Sequence, residues 1–300
     1  MGEVSPLQGR TAVVTGAARG VGERVALALA RRGARVALLG HEEGRLAEVA
    51  VRCRESGGTA LPWPVDVTDD ARMADVAREV GRRMGPASVV VANAGIAAGG
   101  PFERTAPDTW RRIVEVNLVG SAVTARAFLP ALLTTRGYYL QVSSLAALAP
   151  VPMMTAYGAS KAGAEAFASG LRAEVAHRGV AVGLARLSWY DTDLIRASDD
   201  HRVMRELRRR LPWPADRVHR DDRVGELLVR GIERRGAVLH LQPWLRLVPA
   251  LGPLLPALVT LGARRALSRL DEAGTDLAPT GLLGPGGKAD GTAGDGNAGG

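Results

Sequence analysis

The sequence predicts an α/β fold, a doubly wound parallel sheet of about seven strands in a single domain with a C-terminal extension. Three observations carry that expectation. Short runs of Val, Leu and Ala alternate with longer amphipathic stretches from Arg10 to about His240. Most of the short runs show little polar alternation, which is the pattern of strands covered on both faces. Aromatic residues make up only 4% of the 300 residues, so the core must be built from Ala, Val and Leu, a composition suited to close helix–sheet packing.

The strand candidates are 11–15 (TAVVT), 35–39 (RVALL), 60–65 (ALPWPV), 88–92 (SVVVA), 138–143 (YYLQVS), 180–187 (VAVGLARL) and a short 237–241 (AVLHL). Helical patterns such as GERVALALARRG and ARMADVAREVGRRM lie between them. Repeated strand–helix units make right-handed crossovers and therefore a parallel sheet. Residues 1–242 are assigned to this domain. Residues 243–270 are strongly apolar but carry Pro243, Pro249, Pro253 and Pro256, which interrupt a regular helix. The uncharged stretch from Leu247 to Ala263 is also shorter than the roughly 20 residues of a membrane span. Residues 271–300, rich in Gly, Ala and Asp, are expected to be disordered, because they hold too little apolar surface to bury.

The formal net charge is +8, and every basic residue except Lys161 and Lys288 is arginine. The basic stretch from Arg202 to Arg235 suits an anionic substrate, an acidic carrier protein or a lipid surface, or simply forms a solvated helix face. No aromatic-interleaved basic strip accompanies it, so nucleic acid is not expected as a partner. Cys53 is the sole cysteine, which excludes a disulfide framework and points to a cytoplasmic protein. The five histidines show no metal-ligand spacing, and no metal is expected. The segment MGEVSPLQGR lacks the apolar run of a secretion signal.

The first strand runs into Gly16-x-x-x-Gly20-Val21-Gly22 and then an amphipathic helix. Glycines at such a turn let the backbone approach a pyrophosphate, whose charge the helix N-terminus stabilises. Farther along, Tyr157 and Lys161 stand four apart in a helical stretch and so share one face. Lowering a phenol from about 10 toward 7 takes about 4 kcal/mol. One cation about 4 Å away at an effective dielectric of about 20 supplies that order of interaction. Lys161 is the only lysine of the folded part.

With these residues the chain resembles the short-chain dehydrogenase/reductase family over about residues 8–241. Gly16, Gly20 and Gly22 match its TGxxxGxG loop, and Asn93-Ala94-Gly95 matches its NAG motif. The resemblance implies a Rossmann-type sheet. It also implies that Asp66, with Val67, contacts the adenine, although Asp66 alone would pass for a helix cap. Ser144, thirteen residues before Tyr157, and Asn117 in VNLVG complete the tetrad Asn117, Ser144, Tyr157 and Lys161. In that family the tyrosine is the acid/base, the serine holds the substrate oxygen, the lysine also holds the nicotinamide ribose and the asparagine completes a proton relay. Thr192 fits the threonine that contacts the nicotinamide amide, but Leu187-Ser188 stands where the family has Pro-Gly, and Trp189 either narrows the pocket or packs in the core.

At the end of the second strand a carboxylate would favour NAD(H); here the residues are Gly40-His41, and Arg19 lies in the glycine loop, so NADP(H) is expected and NAD(H) is the lesser candidate. Glu42 and Glu43 argue the other way. The resemblance implies interconversion of a ketone and a secondary alcohol, with specificity set by a lid at about 190–225. A hydrophobic small molecule of steroid, polyketide or fatty-acyl type is the expected substrate. A homodimer or homotetramer packed through helices near 107–134 and 155–178 is implied as well. Residues 243–270 either contact a membrane peripherally, with Arg246, Arg264, Arg265 and Arg269 near headgroups, or cap the pocket or a neighbouring subunit. The rival reading of the whole chain is a non-catalytic nucleotide-binding scaffold or sensor with a membrane-surface tail.

Overall fold

Seven parallel strands form one sheet in the order β3-β2-β1-β4-β5-β6-β7 in a computed structural model that describes residues 5–220, 223–272, 275 and 277–295. The strands are β1 (Thr11–Thr15), β2 (Arg35–Gly40), β3 (Thr59–Pro64), β4 (Ala87–Ala92), β5 (Tyr138–Ser144), β6 (Ala181–Leu187) and β7 (Val238–His240). All seven expected strands are present. The helices are α1 (Gly20–Arg31), α2 (Glu43–Glu55), α3 (Asp70–Met84), α4 (Pro107–Val114), α5 (Gly120–Thr135), α6 (Thr155–Val175), α7 (Asp193–Asp200), α8 (Arg202–Arg209), α9 (Val224–Glu233), α10 (Leu255–Glu272) and α11 (Gly284–Asp295).

Alternate residues of each strand feed two cores. Ala12, Val14, Val36 and Leu38 pack beneath α1, α2 and α9, whereas Val13, Ala37 and Leu39 pack beneath α3, α5 and α6. Burial on both faces explains the unbroken aliphatic strands. Cys53 lies wholly inside the first core, and burial pushes its thiol up to about 12, so it is chemically inert packing. The strand order reverses between β1 and β4, and a crevice opens there at the carboxyl ends of the strands. α4 and α5 join through a π-helical turn, Glu115–Val119, that carries Asn117. The combined helix, Pro107–Thr135, is apolar and long enough to cross a membrane, but half of its most apolar stretch is buried in the fold.

The C-terminal extension has two parts. Pro243, Pro249 and Pro253 fall in two 3₁₀ turns and the approach to α10, and Pro256 occupies its first turn, where a missing N–H is harmless; α10 therefore runs 18 residues without a break. The structure places residues 277–295, part of the stretch expected to be disordered, against the loop after β4. Leu283 N donates to Ala97 O at 2.8 Å and Thr280 N to Gly99 O at 2.8 Å, a short pairing against the loop after β4 that leads into α11. Backbone hydrogen bonds and a buried Asp290 hold this segment in the structure, contacts that composition, which counts only apolar side chains, does not reveal. Residues 273, 274, 276 and 296–300 of that expectation lie outside the described residues.

Candidate active site

The glycine loop and α1 are built to receive an anion. Gly16 has φ +62°, and a Cβ on Gly22 would collide with the Gly16 carbonyl oxygen, so the turn closes only with glycine at both places. Arg19 at the N-cap of α1 gives no side-chain hydrogen bond to the first turn, leaving backbone N–H groups of that turn without a cap. Asn93 Nδ2 donates to Thr15 O at 3.0 Å and to Gly16 O at 3.2 Å, tying the end of β4 to the loop.

Ser144, Tyr157 and Lys161 converge on the other end of the crevice. Ser144 ends β5, and its Oγ accepts from Ala146 N at 3.2 Å. Tyr157 sits in the first turn of α6 and Lys161 one turn later, with Nζ 5.7 Å from the Tyr157 ring centroid. Burial pushes the Tyr157 phenol up, and its hydrogen bond with Ser144 opposes that. Burial lowers Lys161 to about 8. The residue is 4% exposed, and its ammonium meets the Val142 carbonyl at 3.5 Å, a poor partner for a buried charge.

Asn117 is buried behind this pair. Its Oδ1 accepts from Ile96 N at 2.8 Å, and its Nδ2 donates to Ile96 O at 3.0 Å and to Ser160 Oγ at 2.9 Å. The bare Cα of Gly95 gives it room: a Cβ there would lie 3.1 Å from Asn117 Oδ1 and 3.2 Å from Lys161 Nζ. Thr192 stands at the N-cap position of α7 beside Gly20, with no side-chain hydrogen bond to the first turn, and both line the crevice. Trp189 does not line it; its Nε1 donates to Ala215 O at 2.9 Å within the lid.

Two expected cofactor residues, Asp66 and Gly22, are not part of the crevice lining, and a third, Arg19, lines it with its guanidinium engaged. Asp66 lies just outside the crevice lining, beside His41 and Asp290, where it accepts from Thr68 N at 2.8 Å and Arg112 Nη2 at 2.6 Å. Gly22 lies behind Gly16 rather than on the surface of the groove. Arg19 lines the groove but is engaged, with Nε 2.7 Å from Glu42 Oε1 and Nη1 3.4 Å from Asp193 Oδ2. Gly40, His41, Val21, Val67, Asn93, Ala94 and Gly95 also line it.

Sequence reasoning missed the tail. Leu283–Gly287 and Asp290 form one wall of the crevice. Asp290, 1% exposed at its side chain, contacts His41 Nε2 at 3.3 Å and accepts from Arg112 Nη2 at 2.6 Å. Burial pushes Asp290 up, but His41 and Arg112 outweigh it and hold the carboxyl below its usual range, while Asp290 raises His41. His41, Asp66 and Asp290 offer ligand atoms within 4.8 Å of one another, yet the Arg112 guanidinium already binds both carboxylates. The one available signal was the Leu282-Leu283 pair inside a Gly-rich stretch.

A crevice at the strand-order reversal, with a glycine turn and uncapped helix at one end and a Tyr–Lys pair at the other, defines a dinucleotide-dependent α/β oxidoreductase. The chain belongs to the short chain dehydrogenase family, whose model matches residues 10–202. It is thus an oxidoreductase acting between CH–OH and C=O groups with a nicotinamide cofactor. A short chain dehydrogenase of Pseudocercospora fijiensis is 33% identical over 69% of this chain and 70% of its own length. The probable oxidoreductase EphD of Mycobacterium tuberculosis is 35% identical over 63% of this chain, a match that spans only 32% of EphD. Among solved structures, a metagenomic short-chain oxidoreductase in complex with NADP is 35% identical over 60% of this chain and 82% of its own, with TM-score 0.58. A putative short-chain alcohol dehydrogenase of Sinorhizobium meliloti is 26% identical over 79% of this chain and 95% of its own, with TM-score 0.71.

Proposed function

We propose that the protein is an NADP(H)-dependent enzyme that interconverts a ketone and a secondary alcohol on a hydrophobic small molecule, with Tyr157 as the acid/base. The observation that carries this reading is the position of Tyr157. It belongs both to the crevice lining and to an apolar cluster of Ala97, Met153, Met154, Val203, Met204, Leu270 and Leu283. An apolar substrate seated there would present its oxygen to the phenol and to Ser144.

The residues present fit a nicotinamide dinucleotide: the uncapped turn of α1 suits the pyrophosphate, and the underpartnered Lys161 ammonium suits the nicotinamide ribose hydroxyls. When bound, the nicotinamide supplies or accepts the hydride at the substrate carbon. Tyr157 gives its proton to the carbonyl oxygen during reduction or takes it from the alcohol during oxidation. Ser144 Oγ steadies that oxygen as charge develops on it. Asn117, held by Ile96 and Ser160, positions the polar wall behind Lys161. In the free protein burial keeps the phenol protonated, which suits the proton-donating direction.

Preference for NADP(H) is supported by Arg19 at the lip of the groove and by the NADP carried by the 35% identical neighbour. Self-association through the faces of α4–α5 and α6 belongs to the same proposal. Tyr157→Phe is expected to lower turnover of a hydrophobic ketone by at least about 10³-fold while NADPH affinity, read by nicotinamide fluorescence, stays within twofold. Turnover near wild type in that variant would refute the assignment, and failure of the wild type to bind either NADPH or NADH would favour the scaffold reading.

A further inference from the structure

Five large exposed apolar side chains fall within fifteen residues, a density found nowhere else among the described residues. They are Leu247, Leu251, Leu254, Leu258 and Leu261, each 47–67% exposed. Their spacing alternates four and three, and in α10 that spacing keeps Leu258 and Leu261 on one face, with Arg265 following at i+4 from Leu261. The opposite face is the anchored one. Ala266 and Leu270 are buried, and Leu267 and Leu270 join the apolar cluster that includes Tyr157. Leu245 and Val248 are likewise buried and fasten the preceding turns to the body of the protein. The segment is thus apolar on both sides, while only one side is covered.

Charge indicates what covers the other. Residues 242–270 contain four arginines and no acidic residue. Arg246, Arg264, Arg265 and Arg269 are all exposed and flank the leucines at both ends. Apolar side chains bordered by cations match the acyl boundary and phosphate layer of an anionic leaflet, which attracts each cation near its surface. A second copy of the chain would bring the same four arginines against themselves across a two-fold axis, and like charges facing one another oppose that contact. We propose that residues 247–269 form a docking surface for an anionic lipid bilayer, holding the protein at the interface through Leu254, Leu258 and Leu261 with the arginines at headgroup level. Because the inner face of α10 packs in the cluster beside Tyr157, this surface would bring the apolar end of the crevice close to lipid-dissolved molecules.

Co-sedimentation of the full chain with vesicles of 70% phosphatidylcholine and 30% phosphatidylglycerol, or of phosphatidylcholine alone, tests the proposal. The wild type is expected to partition at least about tenfold more strongly onto the anionic vesicles, with the difference shrinking in about 0.5 M salt. The triple variant Leu254→Gln, Leu258→Gln, Leu261→Gln and the double variant Arg264→Gln, Arg265→Gln are each expected to weaken that partition about tenfold or more, with NADPH affinity unchanged. Wild-type protein that stays in the supernatant with both vesicle types overturns the proposal. So does light scattering in which the leucine variant converts a dimer or tetramer to smaller species, since the leucines would then cover a second copy. If the leucine variant loses its cooperative melt, the arginine variant decides alone, and undiminished binding to anionic vesicles in it overturns the assignment.

Discussion

The two ends of the crevice hold their charges in opposite ways. At the Tyr157 end the one cation, Lys161, is buried against a single long carbonyl contact and is lowered to about 8. At the end of β2 every charge has a protein partner: Arg19 with Glu42 and Asp193, and Arg112 with Asp66 and Asp290, the latter also touching His41. The first end bears the desolvation cost of an uncompensated charge, which a bound ligand would relieve. The second is already neutralised from within, so a phosphate arriving there must displace a carboxylate.

Breaking the contrast at its uncompensated end should have the largest effect. Lys161→Met is expected to cut turnover by at least about 10³-fold. It should also stabilise the ligand-free protein near neutral pH by up to about 3 kcal/mol, the cost implied by the depressed lysine at 1.36 kcal/mol per unit. The pH dependence has a definite sign. With the folded value near 8 and the unfolded value at 10.5, the unfolded chain binds more protons between them, so wild-type stability rises over that window and the variant should lack that rise. Chemical denaturation at pH 7 and pH 10 measures both.

A smaller effect is expected where compensation is tight. Glu42→Gln frees Arg19 from its bidentate partner and is expected to strengthen NADPH binding about tenfold, or about 1.4 kcal/mol, with NADH affected much less. Equal gains for both cofactors would show that Arg19 does not face the 2′-phosphate. Asp290→Ala removes the buried anion that holds α11. Because the tail can open locally, the expected readout is faster proteolysis and amide exchange over 277–295, with the global melt moving little. The smallest effect is the pH response of that contact. His41 is raised by Asp290, so its contribution is complete below about 6.5 and is lost as pH rises through the raised value. Exchange over Gly284–Asp290 is expected to quicken across that rise, and only modestly, because Arg112 stays charged throughout.

These contrasts also separate what could be read from the chain from what could not. The seven strands were legible because burial on both faces leaves an unbroken aliphatic run, as in TAVVT and SVVVA. Gly16, Tyr157 and Lys161 were legible because the turn and the helical period set their local spacing, whereas Ser144 and Asn117 were legible only through the resemblance to the family. Asp66 was readable as a strand-end carboxylate, but its pairing with Arg112, 46 residues away, was not. The placement of the tail was not legible, because it rests on backbone hydrogen bonds to residues 97–99 and one buried carboxylate.

The sequence by itself determined the parallel α/β architecture, the anion-binding turn and the residues that converge at the chemical end of the crevice. Periodicity and short-range spacing encode the architecture, the turn and the Tyr157–Lys161 pair, and the resemblance to the family adds Ser144 and Asn117. Only the tertiary structure decided which charges are satisfied, that Arg19 is held by Glu42, that the C-terminal segment walls the crevice, and that five leucines face outward. Pairing and exposure depend on neighbours brought together from distant positions, and no local pattern records them.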